Sequence, residues 1–373
     1  MNKILQKSIV VIFFVIIFFF ATCLLINHDK VLSTSENRVL AAFPELSWET
    51  VRQGTFMDGF ETFVNDQMTG RDWFVRLSTR IKILMGQKDI NGVYIDGDKL
   101  YSKVNNLSTE QLDKLDKTIE QLSVFMSKQE NVYFGIIPTS IELSDVSYPN
   151  KLNQKQLIAD VYSKLPQNRT LDVYNMLTKY ADDYIYYNTD HHWTTLGAYY
   201  AYTMIAEQLG FSAVDANVYF KEVVKNDFSG TTQAKLNISL SVDSIEIWQN
   251  SNANYVRLLN GNEELPLYDT NKLTSSEPYA VFLGGNTGKI ILKNKDIAED
   301  RQGTHLLMIK DSYSHCLAPF FLEHYETVTL LDLRYAGMVS VQSLIQQYNF
   351  DDIIVLYNTD NIITENKFIL LNR

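Results

Sequence analysis

Asp190 and His192 stand two residues apart in Tyr186-Tyr187-Asn188-Thr189-Asp190-His191-His192-Trp193-Thr194. In an extended segment their side chains project from one face. A carboxylate so placed fixes the imidazole tautomer and stabilises the imidazolium formed when the ring acts as a general base. Trp193 could pack behind such a site and keep water out. The pattern alone also fits a histidine whose ring N–H caps a buried carboxylate. A matching nucleophile is Ser312, in His305-Leu306-Leu307-Met308-Ile309-Lys310-Asp311-Ser312-Tyr313-Ser314. The apolar strand ends at Lys310 and a helix starts shortly after, so Ser312 sits at a strand-to-helix turn. Open α/β sheets carry their sites there, and helix N–H groups can steady an oxyanion. The alternative is that Asp311, Ser312 and Ser314 cap the helix.

Two further segments point to the same edge. Gly284-Gly285-Asn286 follows a predicted strand, Tyr279 to Leu283. Glycines let the backbone approach a ligand and an Asn amide can donate to an oxyanion; a plain turn is the other reading. Arg334, in Leu331-Asp332-Leu333-Arg334-Tyr335, either contacts substrate or pairs with Asp332 or another carboxylate.

The elements that must hold these residues read as α/β. Helical spacing of apolar residues runs from Phe56 to Met85, interrupted at Gly70, and Val93 to Tyr101 reads as a hairpin turning at Asp96-Gly97. A helix opening at Ser108 runs to about Lys128. Strand Val132 to Ile137, helix Gln154 to Leu165, strand Thr170 to Val173 and helix Thr195 to Leu209 come next. Such alternation predicts a parallel sheet covered on both faces. Residues 227–283 differ: Ile238 to Val242 and Ser244 to Trp248 alternate at period two, and Tyr255 to Leu258, Leu265 to Tyr268 and Tyr279 to Leu283 add short strands. This predicts a β-rich insertion. The chain then returns to strand His305 to Ile309, helix His315 to His324, strand Thr327 to Leu331, helix Val339 to Tyr348 and strand Ile353 to Leu356.

Lys3 and Lys7 precede an apolar run from Ile9 to Ile26. Eighteen helical residues span about 27 Å, close to the hydrocarbon thickness of a bilayer, and lysines on the short side favour keeping that end in the cytoplasm. Residues 1–29 are therefore expected to be a cytoplasmic stub and transmembrane anchor, 30–58 a linker, and 59–373 an exported domain; a cleaved signal peptide is the rival. The 373 residues suit one large domain with an insertion, and the net charge of −11 argues against nucleic-acid binding. Of the two cysteines, Cys23 lies in the apolar run, so Cys316 has no partner in the exported body.

Thr189-Asp190-His191-His192-Trp193-Thr194-Thr195-Leu196-Gly197-Ala198-Tyr199 resembles the signature of the DHHW family. Lys310-Asp311-Ser312-Tyr313, Phe282-Leu283-Gly284-Gly285-Asn286, Asp332-Leu333-Arg334-Tyr335 and Glu36-Asn37-Arg38-Val39-Leu40 with Phe43-Pro44 resemble its other blocks. That family is similar to the SGNH-like domains of alginate-type polysaccharide O-acetyltransferases. The resemblance implies an SGNH-hydrolase-like sheet flanked by helices and a triad in which Asp190 orients His192, His192 activates Ser312, and Ser312 carries the acyl group. It also implies supporting places for His191, Trp193 and Tyr313, an oxyanion or substrate role for Asn286, Gly285 and Arg334, and no metal or cofactor. The implied partners are a polysaccharide acceptor and a multi-pass membrane-bound O-acyltransferase as acyl donor.

Two departures from ordinary SGNH hydrolases fit the Asp-His-first order of the acetyltransferase-like group but forbid carrying over the ordinary esterase assignments. The usual Gly-Asp-Ser block reads Lys310-Asp311-Ser312, and no histidine occurs after His324, so the late Asp-x-x-His of SGNH hydrolases is missing. His315 and His324 are expected to be solvated or capping. Outward O-acetyl transfer to a surface polysaccharide is the leading expectation. A polysaccharide O-acetylesterase would use the same residues with water as acceptor. A metal-dependent phosphoesterase built on Asp190-His191-His192 needs more ligands than six histidines readily supply. A non-catalytic glycan-binding scaffold remains the last class.

Overall fold

The computed structural model describes residues 3–33, 36, 38–259, 263–337 and 339–373; Asn37 of the Glu36 to Leu40 block lies outside the described residues. The chain forms two compact units, residues 1–93 with 233–240, and residues 94–232 with 241–373.

In the first unit, α1 (Lys3–Ile26) contains the apolar run, and its stretch Leu5–Ile26 is long and apolar enough to cross a membrane. Residues 30–58, read from sequence as a linker, carry the short α2 (Trp48–Gln53), started by a Ser47/Thr50 capping box, and the beginning of α3 (Thr55–Gln67). Gly70, at φ 76°, lets the chain turn into α4 (Arg71–Leu84). Arg38 grips Asp66 of α3 through two bonds of 2.9 and 2.6 Å, and Arg71 of α4 bonds both Glu36 carboxylate oxygens at 2.9 and 3.0 Å. These pairs give Glu36 and Arg38 a structural role, tying the segment after α1 to α3 and α4.

The chain enters the second unit through a hairpin, β1 (Val93–Asp96) and β2 (Lys99–Ser102). Helices α5 (Thr109–Lys128), α6 (Gln154–Ser163), α7 (Val173–Lys179) and α8 (Thr195–Gln208) accompany β3 (Val132–Ile137) and β4 (Thr170–Leu171). Next come β5 (Tyr219–Phe228), β6 (Asp243–Asn250), β7 (Tyr255–Leu259), β8 (Glu263–Pro266) and β9 (Lys289–Asn294). The last third supplies β10 (His305–Lys310), α9 (Ser314–Leu317), β11 (Thr327–Leu331), α10 (Val341–Tyr348), β12 (Asp352–Asn358) and α11 (Thr359–Thr364). Among the described residues, eight strands form one sheet in the order β8-β7-β9-β11-β10-β12-β3-β4. The five from β11 to β4 are parallel, and β9, β7 and β8 add on antiparallel.

Burial explains the parallel half. Along β10, Leu306 and Met308 enter one core while Leu307 and Ile309 enter the other. Both faces are covered, so the strand is a continuous apolar run rather than an alternating one. The insertion differs from the sequence expectation. Its β7 and β8 extend the main sheet through β9, which the sequence reading missed, whereas β5 and β6 pair separately. Ile238 to Val242 forms no strand: Asn237 turns at φ 54°, and the Leu240 N–H donates to the Gln233 side chain at 2.7 Å. Tyr279 to Leu283 is not a strand either. Pro278 opens a 3-10 turn, Pro278–Val281, and Leu283 lies at φ 62°.

Candidate active site

Two loops build the site. The first comes after β10, where Asp311 is fully buried and fixes the turn at Ser312. Its carboxylate accepts from the Asn358 N–H at 2.7 Å, the Asn361 amide at 2.8 Å and the Tyr313 N–H at 3.0 Å. Burial pushes the Asp311 carboxyl up and these bonds offset part of the rise. The turn is thus pinned to β12 and α11. Ser312 does not cap α9, whose N-cap residue is Tyr313 with no side-chain cap; its hydroxyl has another partner.

The second loop joins α7 to α8. Tyr186 and Trp193 pair as an isolated bridge, the Tyr187 N–H donates to the His192 carbonyl at 3.2 Å, and the Thr194 N–H to the Ile185 carbonyl at 2.9 Å. Thr194 then caps α8 through the Gly197 N–H. Gly197 has to be glycine, because a Cβ there would meet the Ile185 carbonyl oxygen at 2.3 Å. Asp243 accepts from the Asn188 N–H at 2.9 Å, the Thr189 N–H at 2.7 Å and the hydroxyls of Thr189 and Tyr184, both at 2.5 Å. Asp243→Ala strands these donors in a buried loop and is expected to cost about 2–4 kcal/mol. A thermal-unfolding comparison with wild type checks this.

Asp190 and His192 meet by a turn rather than along an extended segment. Asp190 Oδ1 accepts the His192 N–H at 3.0 Å, an Asx-type turn, and the His192 Nδ1–H at 2.6 Å. His192 Nε2 lies 2.8 Å from Ser312 Oγ, 120 residues along the chain. Asp190 Oδ2 accepts the Thr231 N–H at 2.7 Å and its hydroxyl at 2.9 Å. Burial alone would raise the Asp190 carboxyl, but the charges of His191 and His192 and the bonds from His192 outweigh it and hold the group below the ordinary carboxylate range. An ionised carboxylate only accepts, so Nδ1 carries the proton and Nε2 is left to accept from the serine hydroxyl. The arrangement can take a proton from Ser312 while the imidazolium is stabilised from behind.

Three parts of this frame escaped the sequence reading. Tyr279 stacks on the His192 ring at 3.8 Å between centroids and 9° between planes, fixing its orientation. Thr231 holds the far side of Asp190. Gly230 leaves room for it: a Cβ there would sit 2.3 Å from the Asp190 Cβ and 2.6 Å from Oδ2. No motif marks these three; each is recognisable only once residues 187–192, 228–231 and 279 are brought together. Gly230→Ala must displace the carboxylate, and Ser312-dependent ester turnover should fall on the order of 100-fold. Turnover of a chromogenic acetate ester, with circular dichroism to confirm folding, measures it.

Trp193, Tyr313 and His191 link the two loops that carry the relay. Trp193 is buried and its indole N–H donates to the Tyr313 carbonyl at 2.8 Å, joining the two loops; the Tyr313 hydroxyl returns a bond to the His191 carbonyl. His191 Nδ1 lies 2.7 Å from the Thr231 hydroxyl. Arg334 grips Asp332 through bonds of 2.9 and 2.7 Å, realising the pairing reading. Asn286 is exposed, and among the described residues no hydrogen bond joins it or Gly285 to Ser312 or His192. His315 and His324 correct the sequence expectation, since both are buried. Lys310 Nζ donates to His315 Nε2 at 2.7 Å and to Asp332 at 3.3 Å. Burial pulls the Lys310 ammonium down to about 8 and holds His315 well below its ordinary value, with the Lys310 charge adding to the latter. His324 bonds the Tyr202 hydroxyl at 2.8 Å and stacks on Phe211. The expected helix His315 to His324 is instead the one-turn α9 followed by a 3-10 stretch, Ala318–Glu323, with His324 just past its end, and the packing of this segment buries both histidines.

Donor atoms of Asp190, His191 and His192 lie within 4.8 Å of one another, a spacing a metal ion can use. Here the His192 nitrogens are directed at Asp190 and Ser312, and His191 Nδ1 at Thr231. The donor set therefore fits the hydrogen-bonded relay better than a coordination shell.

A family model described as DHHW protein matches residues 87–331. A DHHW family protein from Eubacterium siraeum DSM 15702 is 21% identical, with a TM-score of 0.62 over 76% of this chain and 96% of that one. Bacillus cereus PatB1, in a structure with a sulfonyl adduct, is 18% identical, with a TM-score of 0.58 over 72% of this chain and 95% of that one. No curated protein matches the sequence. At these identities the two structures show a shared fold.

Proposed function

The chain belongs to the DHHW family, and from that premise we propose that it is an extracytoplasmic O-acetyltransferase acting on a surface polysaccharide through an acyl-Ser312 intermediate. The observation that carries the reading is the unbroken relay from Asp190 to His192 to Ser312, with contacts of 2.6 and 2.8 Å. Such a relay serves acyl transfer whatever the fold that holds it. The sulfonyl adduct of PatB1 adds support, since sulfonylating reagents trap activated hydroxyl nucleophiles and PatB1 shares this fold. The acetyl group and the polysaccharide rest on the resemblance of the sequence blocks to the alginate-type acetyltransferases.

In the first half-reaction Ser312 Oγ attacks the donor's acetyl carbonyl while its proton passes to His192 Nε2. The tetrahedral adduct collapses, His192 returns the proton to the leaving oxygen, and the acetyl group stays on Ser312. In the second half a sugar hydroxyl gives its proton to His192 and attacks the acyl-serine, which frees Ser312 and leaves the acetylated sugar. Asp190 remains ionised and stabilises the imidazolium in both halves. Gly285 and Asn286 are our candidates for the oxyanion donors, on the resemblance of Phe282-Leu283-Gly284-Gly285-Asn286 to a family block. Arg334 serves the site through Asp332 and the buried Lys310 beneath the nucleophile turn.

The apolar Leu5–Ile26 helix supports a retained anchor with the catalytic domain outside the cytoplasm. A multi-pass membrane-bound O-acyltransferase is our candidate for the acyl donor, and it rests on the resemblance to the alginate-type acetyltransferases alone. Esterase and transferase differ only in the acceptor. With an activated acetyl ester as donor, added oligosaccharide should gain acetyl groups at the expense of free acetate, in a Ser312-dependent manner. Acetate release unchanged by any glycan would assign the esterase reaction instead.

A further inference from the structure

The first unit carries an apolar surface that its own fold leaves uncovered. Helix α4 exposes Trp73, Phe74, Leu77, Ile81 and Leu84, with Met85 just beyond, and Leu84 is 86% exposed. At 3.6 residues per turn these six positions occupy one arc of about 120°. Arg76 and Arg80 border the arc on one side and Lys82 on the other, while Thr79 is buried on the opposite face. An arc of Trp, Phe, Leu and Ile edged by cations is the pattern of a helix lying in a lipid interface, its cations reaching the headgroup phosphates.

The position of α1 identifies the occupant. Phe74 makes an edge-to-face contact with Phe20 at 6.1 Å. Phe20 lies six residues before the end of the apolar span, about 9 Å inside it along the helix axis. Two further bonds hold the segment just after α1 to the end of α3 and the turn beyond it: the Asn27 amide donates to Thr69 Oγ1 at 2.9 Å, and the Lys30 N–H to Gln67 Oε1 at 2.8 Å. If α1 spans the bilayer, Phe74 is carried to the depth of the outer-leaflet acyl chains.

We propose that α4 is an interfacial helix whose Trp73–Met85 apolar arc is embedded in the outer leaflet of the membrane that α1 crosses. The proposal rests on the anchor reading above and extends it: the protein holds the membrane by a span and a flat helix, not by a simple tether. This explains why an apolar helical repeat in an exported unit faces outward instead of into a core.

The test uses the full chain in vesicles of phosphatidylethanolamine and phosphatidylglycerol. On a Cys23→Ala background, with Cys316 buried and unlabelled, cysteines at Leu77, Ile81 and Leu84 are spin-labelled one at a time. Phe13 in α1 and the exposed Asp113 in α5 serve as references. Collision with oxygen is compared with collision with a water-soluble nickel chelate, and each variant is first checked by circular dichroism. The three α4 labels should favour oxygen as Phe13 does, whereas Asp113 favours nickel. Nickel preference at all three, with Phe13 still in lipid, would overturn the interfacial helix and leave the anchor standing. Shielding from both reagents would overturn it in favour of a second copy of the chain covering the arc. Nickel preference at Phe13 would remove the anchor itself and the proposal with it.

Discussion

Ser312→Ala is expected to leave a folded protein whose acyl-transfer rate has dropped at least about a thousand-fold. The fold should survive because Ser312 contributes little to it. Among the described residues its side chain bonds only His192, and Asp311, not Ser312, pins the turn through Asn358, Asn361 and Tyr313. The rate should collapse because, among the described residues, Ser312 is the only hydroxyl hydrogen-bonded to His192 Nε2. Initial rates with an activated acetyl ester, paired with a thermal melt, separate the two effects. A variant that keeps more than about a tenth of wild-type turnover would mean that chemistry runs elsewhere.

Asp190→Asn should cost on the order of 10⁴-fold in rate while leaving the structure nearly unchanged. The carboxylate accepts four bonds, two from His192 on one oxygen and two from Thr231 on the other. An amide satisfies only one side. With its NH₂ toward Thr231, the Thr231 N–H faces a donor and the hydroxyl must turn round to accept, costing about 1–3 kcal/mol. With its NH₂ toward His192, Nδ1 must accept, Nε2 takes the proton, and the ring can no longer accept from Ser312. The loss should therefore appear in kcat rather than in substrate affinity. Because the Asp190 carboxyl is held below its ordinary range, its charge stabilises the fold fully above the unfolded value near pH ~3.9, and this is lost as pH falls through the lower folded value. An acid limb in the wild-type rate near neutrality would thus not belong to Asp190.

Much of this was legible in the sequence, for identifiable reasons. β3 and β11 have the predicted limits because buried parallel strands are short continuous apolar runs bounded by polar residues. The turn at Ser312 could be read from the end of β10 at Lys310. What was missed depends on long-range contact. β9 is a strand because β11 and β7 flank it, and Lys289-Ile290-Ile291-Leu292-Lys293 alone gave little notice of that. Tyr279 looked like part of a strand, whereas Pro278 bends it into a turn that lays its ring on His192. The Asp190–His192 pair was found for an incomplete reason: spacing suggested a shared face, but an Asx-type turn joins them. Gly230 and Thr231 were invisible because their meaning lies in what they touch, about 40 residues away from them in the chain.

The central claim, that Ser312 carries the acyl group, is tested most directly by intact mass. The full-length protein is exposed briefly to an activated acetyl ester beside Ser312→Ala. One added acetyl group on the wild type, mapped to the Ser312 peptide, absent from the variant and cleared faster when a glycan acceptor is added, is the predicted result. A folded wild type that gains no acetyl group and turns over no ester, or an adduct that persists in Ser312→Ala, would contradict the account.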